Sequence, residues 1–487
     1  MKDLPPVFPA GGEEQSKKLH EVLERAAQRV GQYLTQLENR PIFPLKATAP
    51  SQELFPDFPT ELGEVLDQAM DWAEANSIHV ANPGYMGHMD SGVAVAGVVG
   101  DFLASALNQN LLAYELAPGA TLLEKELIGL FAKEAGLPDS AGGTFTTGGT
   151  TANLTALLQA RNAYARHAST KGMAAERPLA VLCSTDAHYS IAKACAIIGI
   201  GSEQVCKVPL AGPERRLDPT ALAQVYADAV AQGLQPCCLV ATAGTTSCGA
   251  IDPLAACADF CEEYGLWLHV DAAHGGALLL HSREKQRLAG IHRADSITLD
   301  PHKWLYAPKS AGVLLVRNGE ELVTAHYQAP YLDRFSSHGK ALPLSQGRRS
   351  LDGSRRFDAL KIWMILRHLG RQGLESILED RLALTRWFHQ ELSTHPDFAP
   401  CHLPDLNVQA FAPRNPNHAS AIAEAHLQVE AAGQVWTSYT VLGGKPCHRV
   451  VLINPAGTQA HLQQALKALR DAHNTLHPSI ATDGGRC

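Results

Sequence analysis

Short apolar segments alternate with helical patterns from about residue 78 to residue 370, and this alternation constrains the fold more than any other feature. The predicted strands are Leu179–Cys183, Cys237–Thr242, Trp267–Val270, Ser296–Leu299 and Gly312–Val316. Such alternation is typical of a mainly parallel sheet that is covered by helices on both faces. Ligands of these α/β folds bind at the carboxyl ends of the strands. Polar residues that follow the strands are therefore the first candidates for a functional site.

The length of 487 residues predicts more than one domain. An amphipathic segment from about residue 15 to residue 37 cannot bury its apolar face alone. After about residue 371 the pattern predicts a smaller α/β unit, with strands near Val408–Phe411, Val435–Val441 and Arg449–Ile453. We therefore expect an N-terminal helical dimerisation segment (1–77), a large domain built on the parallel sheet (78–370) and a small C-terminal α/β domain (371–487).

Composition and charge argue against several classes of protein. The chain is 45% hydrophobic and 18% charged, with a formal net charge of −8, which argues against a nucleic-acid binder. The N-terminus lacks the apolar core of a signal peptide. The longest apolar stretch, residues 92–107, is short for a membrane span and is predicted to be a buried helix. We expect no nucleic-acid or membrane partner.

The 11 cysteines are odd in number and have no repeating spacing, which favours buried thiols over disulfides. Such thiols are typical of a reducing compartment, so we expect a cytoplasmic location. No HExxH or CxxC spacing accompanies the 22 histidines, so we expect no metal site.

Two charged residues stand at the ends of predicted strands. Lys303 lies in the loop between Ser296–Leu299 and Gly312–Val316, and Asp271 follows Trp267–Val270. A lysine in such a loop is ordinarily solvated, whereas an acid at the end of a buried strand is costly unless a cation meets it. A lysine amine can bind an aldehyde cofactor, and a carboxylate can keep a pyridine nitrogen protonated. Together the two residues predict a site for pyridoxal 5'-phosphate (PLP).

Three other motifs follow predicted strands. Glycines and threonines in Thr146–Asn153 lead into a helix, which suits a phosphate but is also typical of a capped turn. His188 could stack on a flat cofactor ring or be a helix-cap or surface histidine. Thr246 could donate a hydrogen bond to the ring, although turn geometry alone would also explain the glycines around it.

The order of these motifs resembles the group II PLP-dependent amino acid decarboxylases. The matching motifs are Gly148-Gly149-Thr150, His188-Tyr189-Ser190, Gly244-Thr245-Thr246, Asp271-Ala272-Ala273 and His302-Lys303-Trp304. Asn108-Gln109-Asn110 and Asn454-Pro455 are most similar to the glutamate, cysteine sulfinate and aspartate decarboxylase branch. The resemblance covers nearly all of the chain beyond the first few dozen residues. It implies the aspartate aminotransferase-like fold type I of PLP-dependent transferases, an α/β fold with a mainly parallel central sheet and a smaller C-terminal α/β domain.

The resemblance also implies a role for each matching residue. The implied cofactor-binding residues are Gly149, Thr150, His188, Thr246, Asp271, Ala273, His302 and Lys303. Lys303 would bind the cofactor aldehyde, Asp271 would bind the ring nitrogen, and Ala273 and His188 would lie on opposite faces of the ring. Lys303, His188 and Asp271 are the implied catalytic residues. Arg449 would bind the substrate α-carboxylate through its planar guanidinium.

The implied reaction is PLP-dependent α-decarboxylation of an L-amino acid to the amine and CO2, the work of a carboxy-lyase. His88 is expected to line the substrate side-chain pocket, where a protonated imidazole could bind a distal carboxylate or sulfinate. Asp90 could instead favour a cationic side chain. We expect a small acidic substrate, namely glutamate, aspartate, cysteine sulfinate or cysteate. The alternatives are an aromatic or diamino acid decarboxylase, or a decarboxylation-dependent aldehyde synthase on the same fold.

One departure from the family pattern concerns the donor of the proton that returns to Cα. The family often uses a tyrosine of a mobile loop, and the matching stretch, residues 333–351, contains none. The candidate donors are His338, Gln346, Lys303 and His188. The family's shared site implies a homodimer with the active site at the interface and with residues 59–112 near that interface.

Overall fold

The structure is a computed structural model that describes residues 13–44, 46–90, 92–322 and 345–476. The chain forms two compact units. The terminal unit comprises the described residues of Met1–Met86, Ser420–Ser438 and Ala456–Cys487, and the central unit comprises those of Gly87–Ala419 and Tyr439–Pro455. The division into segments 1–77, 78–370 and 371–487 remains a prediction.

A seven-stranded sheet forms the core of the central unit, in the order β1-β9-β8-β7-β6-β2-β3. Its strands are β1 Gly142–Thr146, β2 Leu179–Ser184, β3 Val205–Val208, β6 Gln235–Thr242, β7 Trp267–Asp271, β8 Ser296–Leu299 and β9 Gly312–Val316. Strands β3, β2, β6, β7 and β8 are parallel, and β9 is antiparallel to both β8 and β1. The predicted mainly parallel sheet is confirmed, and all five predicted strands are present. A separate short hairpin consists of β4 Leu210–Ala211 and β5 Arg216–Leu217.

Helices α4 Pro118–Glu134, α5 Gly149–Tyr164, α7 Ser190–Ile197, α8 Leu222–Ala231 and α9 Leu254–Tyr264 pack against this sheet. The short helix α6 Ala168–Lys171 follows α5, and α5 and α7 begin just after β1 and β2. Since β1 has the same direction as the parallel strands, the carboxyl ends of β1, β2, β6, β7 and β8 share one edge. The loops that carry the predicted site residues therefore meet at that edge.

A four-stranded sheet follows the long helix α10 Ala359–Thr394, which is kinked at Gly370. Its strands are β10 Phe398–Pro400, β11 Val408–Pro413, β12 Ser438–Leu442 and β13 Lys445–Val451, in the order β10-β11-β13-β12. The predicted start of the last strand at Arg449 was four residues late. Gly443 and Gly444 have φ values of 56° and 78° and form the turn that starts β13 at Lys445.

The apolar stretch at residues 92–107 forms helix α3 Val95–Leu107, but only one face is buried. Gly97, Gly100 and Ala104 are buried, and a Cβ on Gly100 would lie 2.6 Å from Cα of Lys361 in α10. The opposite face is exposed, with Phe102 at 54%. The prediction of a buried helix was wrong for the exposed face, because small residues allow close contact with α10 on one face alone.

The terminal unit contains the predicted amphipathic N-terminal helix. This helix, α1 Glu13–Thr35, pairs with α2 Leu62–Asn76 through an ion pair between Arg29 and Asp71, at 2.5 Å. Helices α11 Ile422–Ala432 and α12 Gln459–Leu476 complete the unit. Over the described ranges, no helix combines the length and the apolar character that a membrane crossing requires.

His402, in the loop between β10 and β11, provides a test of the fold. Its Nε2 accepts a hydrogen bond from the Ala410 amide at 3.0 Å, and burial lowers its pKa to about 4. The folded state therefore favours neutral His402. What the neutral ring contributes to the free energy of unfolding is lost as pH falls from about 6.5, the ordinary pKa of histidine, towards the pKa of about 4 in the folded protein. We expect the stability difference between wild type and His402→Gln to shrink by about 1.4 kcal/mol per pH unit over that window.

Urea unfolding of both proteins at several pH values measures this difference. The matched control is His292→Gln, at an exposed position of the same unit. Its stability difference from wild type should stay constant over that range of pH. If the stability difference between wild type and His402→Gln were also constant with pH, the lowered pKa of His402 in the folded state would be contradicted.

Candidate active site

A cavity of about 570 Å³ opens at the carboxyl edge of the seven-stranded sheet. The loops after β1, β2, β6, β7 and β8 line it, together with residues 88–90 and Arg449 of β13. All ten predicted site residues line this cavity: His88, Gly149, Thr150, His188, Thr246, Asp271, Ala273, His302, Lys303 and Arg449. The roles assigned to them remain predictions.

Asp271 lies at the end of β7, and Asn153 of α5 sets the position of its carboxylate. Nδ2 of Asn153 donates to Asp271 Oδ2 at 2.8 Å and to Ser190 Oγ at 3.0 Å. Ser190 Oγ in turn lies 2.8 Å from Nδ1 of His188, to which its hydrogen can be donated. Burial lowers the pKa of His188. The Ser190 amide donates to the same Nδ1 at 3.3 Å, so Nδ1 is an acceptor and the ring proton is on Nε2.

A second group of hydrogen bonds holds Asn153 from the opposite side. Trp267 Nε1 donates to Ser296 Oγ at 2.8 Å, and Ser296 Oγ lies 2.8 Å from Nδ1 of His269. Nε2 of His269 donates to Asn153 Oδ1 at 3.0 Å. Burial lowers the pKa of His269 to about 4, so this ring is neutral too. Because the Trp267 indole can only donate, the hydrogen bonds run in one direction, from Trp267 to Asn153.

Lys303 lies in the loop between β8 and β9 and pairs with an aspartate three residues earlier. Its Nζ is 3.4 Å from Oδ2 of Asp300, whose side chain is 3% exposed. Oδ1 of Asp300 is also buried, and it has no hydrogen-bond partner among the described residues. Burial raises the pKa of Asp300, while Lys303 and His302 act in the opposite direction.

The start of α5 forms a cradle of backbone groups beside Lys303. Gly148 has a φ of 154°, and a Cβ at this position would lie 3.1 Å from Cε1 of His302. A Cβ on Gly149 would lie 2.8 Å from Asp300 Oδ2 and 3.2 Å from Ala273 Cβ. Glycine is therefore required for the close approach of these loops. Free N–H groups at the helix start favour an anion here.

Arg449 of β13 also lines the cavity, and only 6% of the residue is exposed. Its guanidinium donates to the carbonyl of Thr246 at 2.7 Å and to that of Gly87 at 3.0 Å. Nη2 of Arg449 also lies 3.2 Å from Nδ1 of His88. A guanidinium can only donate, so Nδ1 of His88 is the acceptor and carries no proton. In this arrangement His88 offers a distal carboxylate an N–H donor on Nε2, without the charge of a doubly protonated ring.

Asp90 supplies a charge near His88. Its carboxylate lines the cavity and is bonded by the ammonium of Lys309. The Lys309 side chain is 57% exposed, so one side of the pair faces solvent. The cavity wall near His88 therefore carries the Asp90 carboxylate, and the Lys309 ammonium that bonds it lies outside the lining residues.

Sequence reasoning missed Asn153, His269, Ser190 and Asp300. For two of them, spacing places the residue on the same face as a predicted site residue. Asn153 lies four residues after Gly149, on the same helix face, and His269 lies two residues before Asp271, on the same strand face. Of the candidate proton donors, Lys303 and His188 line the cavity, and His338 lies outside the described residues. Gln346 is buried and does not line this cavity.

Comparison with known proteins gives consistent matches. Residues 44–412 match the model of the pyridoxal-dependent decarboxylase conserved domain. L-2,4-diaminobutyrate decarboxylase of Rhizobium meliloti is 35% identical over 86% of this chain and 84% of its own. Cysteine sulfinic acid decarboxylase of Mus musculus is 35% identical over 66% of this chain and 65% of its own. The crystal structure of mouse CSAD superposes with a TM-score of 0.86 at 27% identity, covering 95% of this chain and 99% of that one.

The residues of the cavity fit PLP. Lys303 offers an amine, and Asp271 offers a carboxylate that Asn153 orients. The glycine cradle at the start of α5 leaves no room for a Cβ but presents N–H groups that suit a phosphate. Together these groups supply a partner for the aldehyde, the ring nitrogen and the phosphate of the cofactor.

Asn153→Ala tests the importance of this orientation. We expect weaker PLP binding because the Asp271 carboxylate loses an oriented donor. We also expect the free energy of unfolding to fall by about 1–3 kcal/mol, since His269 and Ser190 keep buried polar groups without a partner. Absorbance titration with PLP and urea unfolding measure the two effects. The control is Asn162→Ala on the same helix, whose amide bonds the adjacent Arg161; PLP binding by Asn153→Ala equal to that of this control would contradict the prediction.

Proposed function

This chain belongs to the pyridoxal-dependent decarboxylase family, and on that basis we propose that it removes the α-carboxylate of a small L-amino acid with a charged side chain. It is a PLP-dependent carboxy-lyase that acts on an amino acid. Small acidic amino acids, namely glutamate, aspartate, cysteine sulfinate and cysteate, are the first candidates for the substrate.

Each residue of the cavity has a proposed task. Lys303 binds the cofactor aldehyde, Asp271 binds the ring nitrogen, and Ala273 and His188 cover the two faces of the ring. The phosphate binds at Gly149, Thr150 and His302, and Thr246 lies at the ring edge. Bound PLP supplies an electron sink for the electrons of the broken C–C bond.

Arg449 is proposed to bind the substrate α-carboxylate. The carbonyls of Thr246 and Gly87 fix the guanidinium within the cavity. A planar guanidinium suits a carboxylate and restrains its rotation, which would hold the bond to be broken in one orientation. Lys303 and His188 are the proposed sources of the proton that returns to Cα, because both line the cavity.

The ion pair between Asp90 and Lys309 carries the proposal of a charged side chain. The Lys309 side chain is long and half-exposed. Its ammonium could therefore leave Asp90 and bind the distal carboxylate or sulfinate of a substrate. Similarity to the mouse cysteine sulfinic acid decarboxylase supports this reading.

The same pair favours a second candidate substrate, a small diamino acid. Asp90 could bind a distal ammonium, and His88, whose Nδ1 accepts from Arg449, would not repel it. Similarity to the Rhizobium meliloti L-2,4-diaminobutyrate decarboxylase supports this candidate.

A product assay distinguishes the candidates. The purified full-length protein with PLP is given each acidic amino acid, 2,4-diaminobutyrate and aromatic amino acids separately, and CO2, amine and aldehyde are measured. We expect equal amounts of CO2 and amine from one acidic substrate, and none from Lys303→Ala. Aldehyde in place of amine would favour the aldehyde synthase. The absence of CO2 from every substrate would refute the proposal for this set.

Variants of the ion pair between Asp90 and Lys309 test whether its charges select the substrate. For an acidic substrate, Lys309→Met should raise KM at least about tenfold and change kcat less, because an ion pair to a bound substrate is lost. For a diamino substrate, Asp90→Asn should have that effect instead. Lys285→Met, at an exposed lysine outside the cavity, is the matched control. Unchanged KM in both pair variants would show that the pair does not select the substrate.

We also propose a homodimer with the active site at its interface, in the cytoplasm. Exposed apolar side chains in the central unit support the dimer, including Val95, Phe102 and Leu107 of α3. The ten cysteines in the described ranges are free thiols, which suits a reducing compartment. Light scattering should give twice the mass of one chain, and Phe102→Glu should shift it towards one chain. A monomeric wild type at micromolar concentration would refute the dimer.

A further inference from the structure

The carboxylate of Asp300 lies where a phosphate is expected to bind. Its Oδ2 is so close to the first residue of α5 that a Cβ on Gly149 would lie 2.8 Å away. The N–H groups at this helix start attract anions. Asp300 and the phosphate of PLP would therefore compete for the same electrostatic site.

Asp300 has little compensation for a negative charge at this position. The Asp300 side chain is 3% exposed, and its nearest cation is Lys303, at 3.4 Å. Its Oδ1 is buried and has no hydrogen-bond partner in the described part of the chain. A buried carboxylate oxygen without a partner is costly, whereas a carboxylic acid there has a proton to donate.

We propose that Asp300 takes up one proton when PLP binds, so that cofactor affinity in this protein falls as pH rises. A phosphate beside Asp300 places two anions close together where the Asp300 side chain is almost fully buried, so their repulsion is strong. Binding of the cofactor aldehyde also engages the amine of Lys303, the nearest cation. Both changes favour the neutral acid over the carboxylate.

Four titratable groups face Asp300. Lys303 and His302 lie on the same loop, Asp271 at the end of β7, and His188 after β2. Lys303 and His302 favour the carboxylate, and Asp271 disfavours it. Burial is the largest effect and raises the pKa of Asp300, so uptake of a proton near neutral pH costs less than it would in water.

The pH dependence of PLP binding tests the proposal. PLP dissociation constants are measured for the full-length wild type, Asp300→Asn and a control after removal and re-addition of PLP, from about pH 6 to about pH 9. Above the pKa of Asp300 in the cofactor-free protein, one linked proton raises the dissociation constant about tenfold per pH unit. Asp300→Asn lacks this linkage. This variant should bind PLP more tightly than wild type. The ratio of the two dissociation constants should grow about tenfold per pH unit above that pKa and fall to one at low pH.

Calorimetry in two buffers with different ionisation enthalpies gives the same answer independently. Wild type should take up about one proton more than Asp300→Asn on PLP binding. This difference is read together with the pH profiles of the dissociation constants, because Asp300→Asn also removes the counter-ion of Lys303. The matched control is Asp295→Asn, a partly buried aspartate just before β8 whose Oδ2 accepts from the Leu268 amide at 2.8 Å. Its pH profile should follow that of wild type.

A constant affinity ratio between wild type and Asp300→Asn over the pH range, with equal proton uptake, would overturn the proposal. Weaker binding by Asp300→Asn at every pH would also overturn it, because the negative charge would then help the cofactor. Asp300→Ser is a second neutral variant if Asp300→Asn melts at a lower temperature than wild type. These measurements depend on PLP binding alone and are independent of the substrate.

Discussion

The hydrogen bonds of Asn153 are the interaction on which the active site depends. One amide joins three elements of the central unit: the helix α5 that carries it, strand β7 through Asp271 and His269, and the start of α7 through Ser190. Every polar atom of that amide is buried and used. An amide fits this position because it can accept from a neutral histidine and donate to a carboxylate at the same time. The position of the Asp271 carboxylate in this cavity thus depends on one uncharged side chain.

Among the described residues that line the cavity, the carboxylates outnumber the lysine and arginine side chains. Asp271 and Asp300 both reach it, and Lys303 is the ammonium that is close to Asp300. Buried charges of this kind are stabilised by partners of opposite sign or are neutralised by protons. In the proposed binding mode, the ring nitrogen of PLP would lie beside Asp271 and its phosphate beside Asp300. The two aspartates would then meet ligand groups of opposite character.

The sequence was sufficient to predict the sheet and the cavity lining, because both follow from local patterns. Apolar strands such as Ser296–Leu299 have clear ends, and the polar residues after them share one edge of a parallel sheet. The contributions of Asn153 and Asp300 depend on contacts between segments distant in the chain, which periodicity does not report. The burial of α3 was mispredicted for a similar reason, since the exposure of Phe102 depends on which face packs against α10. The substrate could not be predicted, because Asp90 and Lys309 offer charges of both signs.

The carbonyl groups around Arg449 have a consequence for affinity. Thr246 and Gly87 hold the guanidinium in place as part of the folded structure. A long arginine side chain ordinarily loses rotational freedom when it binds a ligand, and that loss weakens the complex. In this protein the loss accompanies folding, so a substrate carboxylate would meet a cation that is already ordered. Discrimination among amino acids is then left to the far end of the cavity, where the side chains differ.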